Sequence, residues 1–126
     1  MIAPNYVDLI GAPFEYGGRG PGKFDCYGLV MEMHKRSGLI LPDFGFADDK
    51  ALISAMMGVT MPQWKEVKPR PGAVVLIRIQ GHISHVGYMI DQHQMIHTWE
   101  CSGGVTVIRA DRWKQRIVGF YEYVGN

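Results

Sequence analysis

Phe24-Asp25-Cys26-Tyr27-Gly28-Leu29-Val30-Met31-Glu32-Met33 is the stretch from which the rest of this chain can be read. Asp25 is of a type that caps helices, because its carboxylate can accept hydrogen bonds from backbone N–H groups two or three positions on. After it, Cys26, Leu29, Val30 and Met33 recur at helical spacing, and Gly38 closes the run. Phe24 and Leu29 occupy the two positions of a hydrophobic staple, which fixes how the chain enters the helix. The sequence therefore predicts a helix whose first residue is Cys26. There the unpaired N–H groups and the positive end of the helix dipole favour a thiolate, which makes Cys26 a candidate nucleophile. The competing reading is a buried core cysteine, the commoner fate of a lone thiol.

Working outward, Val7 to Ile10 followed by Gly11 reads as a short helical turn. Phe14-Glu15-Tyr16-Gly17-Gly18-Arg19-Gly20-Pro21-Gly22 is a glycine-rich loop whose backbone can approach other groups closely. Such a loop would leave the Cys26 sulfur at a surface that a substrate can reach. Downstream, Leu41 to Gly45 is a loop, and Ala47 to Met57, closed by Gly58, carries Leu52, Ile53, Met56 and Met57 as a second helix. The pattern changes after Val67-Lys68-Pro69-Arg70-Pro71-Gly72. Five segments rich in β-branched and aromatic residues follow: Ala73 to Ile79, Ser84 to Ile90, Gln94 to Trp99, Gly104 to Arg109 and Ile117 to Val124. Helices first and hairpin-linked strands later predict an α+β fold, with N-terminal helices packed on a five-stranded antiparallel sheet.

At 126 residues the chain fits a single domain over 1–126, large enough to hold a core without disulfide or metal staples. Apolar residues make up 47% and charged residues 20%, with 13 Lys and Arg against 12 Asp and Glu. With no dense basic stripe, nucleic acid is not an expected partner. No apolar run approaches the roughly 18 residues that span a bilayer, so membrane insertion is not expected either. Met1 to Tyr6 has neither the basic nor the apolar region of a secretory signal, so export would need a carrier. Cys26 and Cys101 are too few for a disulfide framework and are read as separate thiols.

His82, His85, His93 and His97 cluster in the strand-rich half. By alternation His85, Gly87 and Met89 share one strand face, and Met95, His97 and Trp99 share one face of the next. If Met89 sits opposite Met95, Asp91-Gln92-His93 is a three-residue hairpin loop and the imidazoles of His85 and His97 are diagonal neighbours. A slip of one residue would separate them. In that register a thiolate, a base and a residue orienting the base form a thiol-hydrolase arrangement, with His85 taking the proton and His97 holding its ring. The competing chemistry is zinc, but neither His82-x-x-His85 nor His93-x-x-x-His97 matches a zinc motif with a defined frame. His82, beside Gly81, reads as a turn residue, His34 as a solvated helix side chain, and Cys101 as a loop thiol. Trp64 and Trp113 are core by default. Trp99, on the face of His97, is the candidate for a groove wall.

Tyr16-Gly17-Gly18, Phe24-Asp25-Cys26-Tyr27-Gly28-Leu29, His85-Val86-Gly87 and Ile96-His97, in this order and spacing, resemble the NlpC/P60 cysteine-peptidase family over nearly the whole chain. The resemblance implies a papain-like fold, a triad of Cys26, His85 and His97, and hydrolysis of amide bonds in peptidoglycan stem peptides. The usual target in the family is the bond from γ-D-glutamate to a diamino acid. No cofactor or metal is implied, and Asp25, Tyr16, Tyr27 and Trp99 are the candidate substrate-binding residues. Tyr27 stands where many members have Ser, a variant that resembles the phage tail-associated branch. That branch implies tail hub or tail-tip proteins as partners, synthesis in a host cytoplasm, and action in the cell wall from a virion tail tip. Phe14 stands where many members have a hydroxyl-bearing Tyr. It is the one hint for the alternative, a catalytically silent tail-assembly module on the same fold.

Overall fold

The structure is a computed structural model that describes residues 2–43 and 61–125. The stretch read as a second helix, Ala47 to Met57, lies outside the described residues.

Helix α1 runs over Cys26–Arg36, so Cys26 is its first residue, as the spacing predicts. Asp25 caps it: its side chain accepts from the Gly28 N–H, the third of the orphan donors at the helix start. At the other end Gly38, at φ 93°, lets the chain turn so that its own N–H and that of Leu39 reach back to Lys35 and His34 carbonyls. His34 corrects the expectation of a solvated side chain. It is buried, its Nδ1 lies 2.8 Å from the Val30 carbonyl, and its ring stands edge-on to Tyr88.

Among the described residues the sheet has six strands, one more than predicted: β1 (Trp64–Val67), β2 (Val74–Ile79), β3 (His82–Met89), β4 (Gln94–His97), β5 (Thr106–Arg109) and β6 (Ile117–Tyr123). All neighbours are antiparallel, in the order β1-β6-β2-β3-β4-β5. The expected sheet of five hairpin-linked strands is therefore corrected. Strands β2 to β5 do meander, but β6 crosses back to lie between β1 and β2. The cause lies in β2, whose residues Val74 to Ile77 are at most 1% exposed. A strand buried on both faces cannot leave one row of N–H and C=O groups unpaired, and β6 satisfies that row. Only one α-helix occurs among the described residues, where several N-terminal helices were expected; the other helical pieces, Val7–Leu9, Met61–Gln63 and Ala110–Trp113, are single 3-10 turns.

Two local devices shape β3. The β2–β3 turn is Gln80-Gly81, both at positive φ (51° and 84°), between the paired residues Ile79 and His82, as in a type I′ hairpin. His82 is thus the first residue of β3, where a turn residue was expected. Further along, Ile77 pairs with His85 but Arg78 pairs with Ile83, which leaves Ser84 without a partner. This bulge falls immediately before His85, and bulges bend a strand and re-aim its side chains. The face carrying α1 is filled by Leu29, Val30, Met33, Val74, Leu76, Val86, Tyr88 and Ile96, and the opposite face by Val75, Ile77, Met89 and Met95.

Candidate active site

The glycine-rich loop is built around one carboxylate. Asp25 Oδ1 accepts from Gly28 N at 2.6 Å, and Oδ2 accepts from Gly17 N at 3.1 Å and from Arg19 Nη1 at 2.7 Å. Arg19 in turn donates to the Gly18 carbonyl at 3.0 Å and to Asp43 Oδ1 at 3.2 Å. The same Gly18 carbonyl receives the Asp25 N–H, and a Cβ added at Gly28 would stand 2.0 Å from that carbonyl oxygen. Loop and helix start therefore meet backbone to backbone, and only glycine fits at 28. With 0% exposure and both oxygens engaged, Asp25 faces the loop and not a ligand, which corrects its expected substrate role.

Tyr27 is corrected for a similar reason. It is fully buried and its hydroxyl donates to the Pro42 carbonyl at 2.8 Å; burial pushes its pKa up. Tyr16 is half exposed and donates to Glu100 Oε2 at 2.8 Å, joining the loop before the cysteine to the turn after β4. Backbone bonds support that junction, Gly11 N to Val105 O and Val105 N to Ala12 O, both 2.9 Å. Ser102 stitches the turn itself, accepting from Trp99 N at 3.1 Å and donating to the Gly104 carbonyl at 2.6 Å.

Met89 does pair with Met95, and Ile90 N donates to Gln94 O across Asp91-Gln92-His93. In that register His85 Nε2 and His97 Nδ1 lie 2.8 Å apart, with the side chains 1% and 2% exposed. Gly87 makes room for this, since a Cβ there would sit 3.0 Å from Met95 Sδ and 3.5 Å from His97 Cβ. His85 Nδ1 is buried and has no hydrogen-bond partner among the described residues. Burial, with the His97 ring second, holds the His85 pKa well below 6.5, and burial holds that of His97 down to about 4. Helix α1, with buried Cys26 at its first position, packs against the side of β3 and β4 that carries Val86, Tyr88 and Ile96; His85 and His97 alternate with these residues and lie on the side of Met89 and Met95. His82, at the start of β3, and His93, in the loop before β4, are exposed and join neither ring, and Cys101 is an exposed thiol.

Two tryptophans complete the ring cluster. Trp99 lies 5.7 Å from the His85 ring. Trp113 was assigned to the core by default, yet it lies 5.9 Å from His85, 5.4 Å from His97 and 5.3 Å from Trp99. The available cue was its setting, a lone aromatic among Asp111, Arg112 and Lys114 between two strands.

A helix that opens on a cysteine and packs on an antiparallel sheet bearing two bonded histidines defines an α+β architecture shared with known proteins. Residues 11–122 match the NlpC/P60 family, and the chain belongs to it. Among curated relatives it is 30% identical over 111 residues to "Probable endopeptidase p60" of Listeria grayi, covering 88% of this chain and 20% of that protein. It is 31% identical over 102 residues to "Probable endopeptidase Rv2190c" of Mycobacterium tuberculosis, covering 81% and 24%. The chain thus spans about a fifth to a quarter of the length of these relatives. The fold is similar to that of NlpC2 from Trichomonas vaginalis, with a TM-score of 0.70 at 16% identity over 92% of this chain and 43% of that one. It is also similar to the NlpC/p60 domain of the peptidoglycan hydrolase SagA, with a TM-score of 0.60 at 21% identity over 91% and 89%.

Proposed function

We propose that this chain is a thiol amide hydrolase acting on peptidoglycan stem peptides, with Cys26 as nucleophile, His85 as base and His97 holding the base. The observation that carries this reading is the His85 Nε2–His97 Nδ1 bond, which leaves His85 Nδ1 as the nitrogen for a thiol proton. For Nδ1 to accept, the proton must sit on Nε2 and be donated to His97, so His97 has to be a neutral acceptor. A His97 pKa of about 4 keeps it neutral at any working pH above that. Cys26 sulfur attacks the scissile carbonyl, its proton passing to His85 Nδ1. The C–N bond then breaks as that proton goes to the leaving amine. A water, deprotonated by the same nitrogen, hydrolyses the thioester and restores the thiol. The N-terminal end of α1 faces the negative charge that develops on the carbonyl oxygen.

The names of the relatives, endopeptidase and peptidoglycan hydrolase, support the substrate class. Within that class we propose the γ-D-glutamyl-diamino acid bond, with Trp99 as a wall of the groove and Tyr16 at its rim. The Tyr27 variant supports delivery on a phage or phage-like tail tip. Mass spectrometry of defined muropeptides after incubation with wild type and Cys26→Ala tests the chemistry. Cleavage by wild type alone is expected and identifies the bond; intact substrate with both overturns the reading in favour of a silent assembly module. Absence of the protein from purified particles of its phage would overturn the tail-tip setting.

A further inference from the structure

We propose that Trp113 is a positioning residue, whose indole holds the His85 and His97 imidazoles against each other and keeps water from the bond between them. Four rings form one cluster, and in it Trp113 and His85 each touch all three others. Aromatic rings 5 to 6 Å apart in tilted or edge-on arrangement attract each other beyond their burial. The two imidazoles come from neighbouring strands and share a single hydrogen bond, which leaves each free to swing about its own χ angles. A ring that meets both at 5.9 Å and 5.4 Å removes that freedom.

The segment that carries Trp113 is itself fastened to the strands that matter. Ala110 N donates to the His93 carbonyl at 2.8 Å, just before β4. Arg78 N, next to the β2 residue that pairs with His85, donates to the Arg116 carbonyl at 2.7 Å. Arg116 N also donates to the Trp113 carbonyl at 2.7 Å, and the Arg116 guanidinium lies 5.3 Å from the centre of the Trp113 ring. The segment that carries the indole is therefore fastened just before β4 and at β2, and the exposed Arg116 guanidinium lies against the ring. Among the titratable groups that helix α1 brings to this sheet are Cys26 and His34, the latter edge-on to Tyr88 of β3. Arg78, Glu100, Asp111, Arg112, Lys114 and Arg116, charged side chains on the surrounding segments, are exposed. Excluding water is consistent with the low pKa of both imidazoles, whose first cause is burial.

The kinetic half of this inference rests on the proposed function; the spectroscopic half does not. The test compares wild type, Trp113→Leu and Trp113→Phe by ¹⁵N NMR of the imidazoles and by kinetics on muropeptides. In Trp113→Leu the His85 and His97 resonances should lose their fixed tautomers and titrate nearer 6.5. Its kcat should fall about tenfold with KM kept within about twofold, as misplacement of a catalytic group predicts. Trp113→Phe, which restores a ring, should recover most of both. Unchanged imidazole spectra in a folded Trp113→Leu would overturn the proposal. Altered spectra with no activity even in wild type would uphold it and overturn the hydrolase reading instead. If Trp113→Leu does not fold, wild type decides: the shared imidazole proton should exchange slowly with solvent, and fast exchange overturns the proposal.

Discussion

Acid is the perturbation to which the buried imidazole pair should be most sensitive. Burial lowers the His97 pKa from 6.5 to about 4, and burial first and His97 second lower that of His85. In the unfolded chain both rings titrate near 6.5, so below that pH the unfolded chain binds protons that the native state refuses. Stability is thus unaffected by these groups above 6.5 and falls as the pH drops toward the folded-state value. For His97 the interval from 6.5 to about 4, at about 1.4 kcal/mol per pH unit, comes to about 3 kcal/mol. That is a large share of the roughly 5–15 kcal/mol that holds a domain together. With a urea m-value of about 1.5 kcal/mol/M, the unfolding midpoint should move by about 2 M. The assay is urea unfolding followed by tryptophan fluorescence between about pH 7 and about pH 4, on wild type and His97→Asn. Asn keeps an acceptor for His85 but does not titrate, so its loss on acidification should be smaller by about 3 kcal/mol. Carboxylates and His34 contribute to both proteins and cancel. Equal pH dependence in the two would refute the argument that His97 is held neutral by its surroundings.

Gly28→Ala reverses a general rule. Alanine in a helix ordinarily gains about 1 kcal/mol over glycine, but a Cβ 2.0 Å from the Gly18 carbonyl should cost several kcal/mol, and a raised Tm would contradict the backbone contact. Asp25→Ala removes the helix cap and the buried partner of Arg19 together and should lower stability by about 3 kcal/mol in chemical unfolding; a loss under about 1 kcal/mol would show that neither bond matters. Tyr27→Phe deletes the bond to Pro42 and should cost about 1 kcal/mol while leaving KM for muropeptides unchanged; a several-fold rise in KM would return that hydroxyl to the substrate's path.

The helix start and the histidine register were legible because each is local. Asp25, Phe24 and the spacing of Leu29, Val30 and Met33 act within one turn or two, and the Met89–Met95 pairing follows from a three-residue loop. What stayed hidden depends on partners remote in sequence. Trp64–Val67 is a four-residue strand beside a proline-rich stretch, and it becomes a strand because Phe120–Tyr123 pairs with it. The return of β6 to β2 is likewise decided by burial of both β2 faces, which no local pattern of β6 announces. Asp25 and Tyr27 are polar residues flanking a candidate nucleophile, and their types alone do not say that one is consumed by Arg19, Gly17 and Gly28 and the other by Pro42. Trp113 reaches the imidazoles from a turn between strands, where neither alternation nor helical period applies.

The position of β6 also bears on how the protein comes into being. Among the described residues β1 has β6 as its one neighbour in the sheet, and β6 joins it to β2, so the order of synthesis and the order of assembly do not coincide. A nascent chain released up to Arg116 can form α1 and the β2–β5 hairpins, but it must wait with Val74 to Ile77 open along one edge and with Trp64–Val67 unattached. An open, apolar edge is a template for pairing with another chain, so this interval is when the protein is most exposed to aggregation. The turn that carries Trp113 is completed by the bond from Arg78 to Arg116, at the threshold of the same strand. The histidine pair should therefore be locked in one of the last steps of folding, after the rest of the sheet between β2 and β5 has formed.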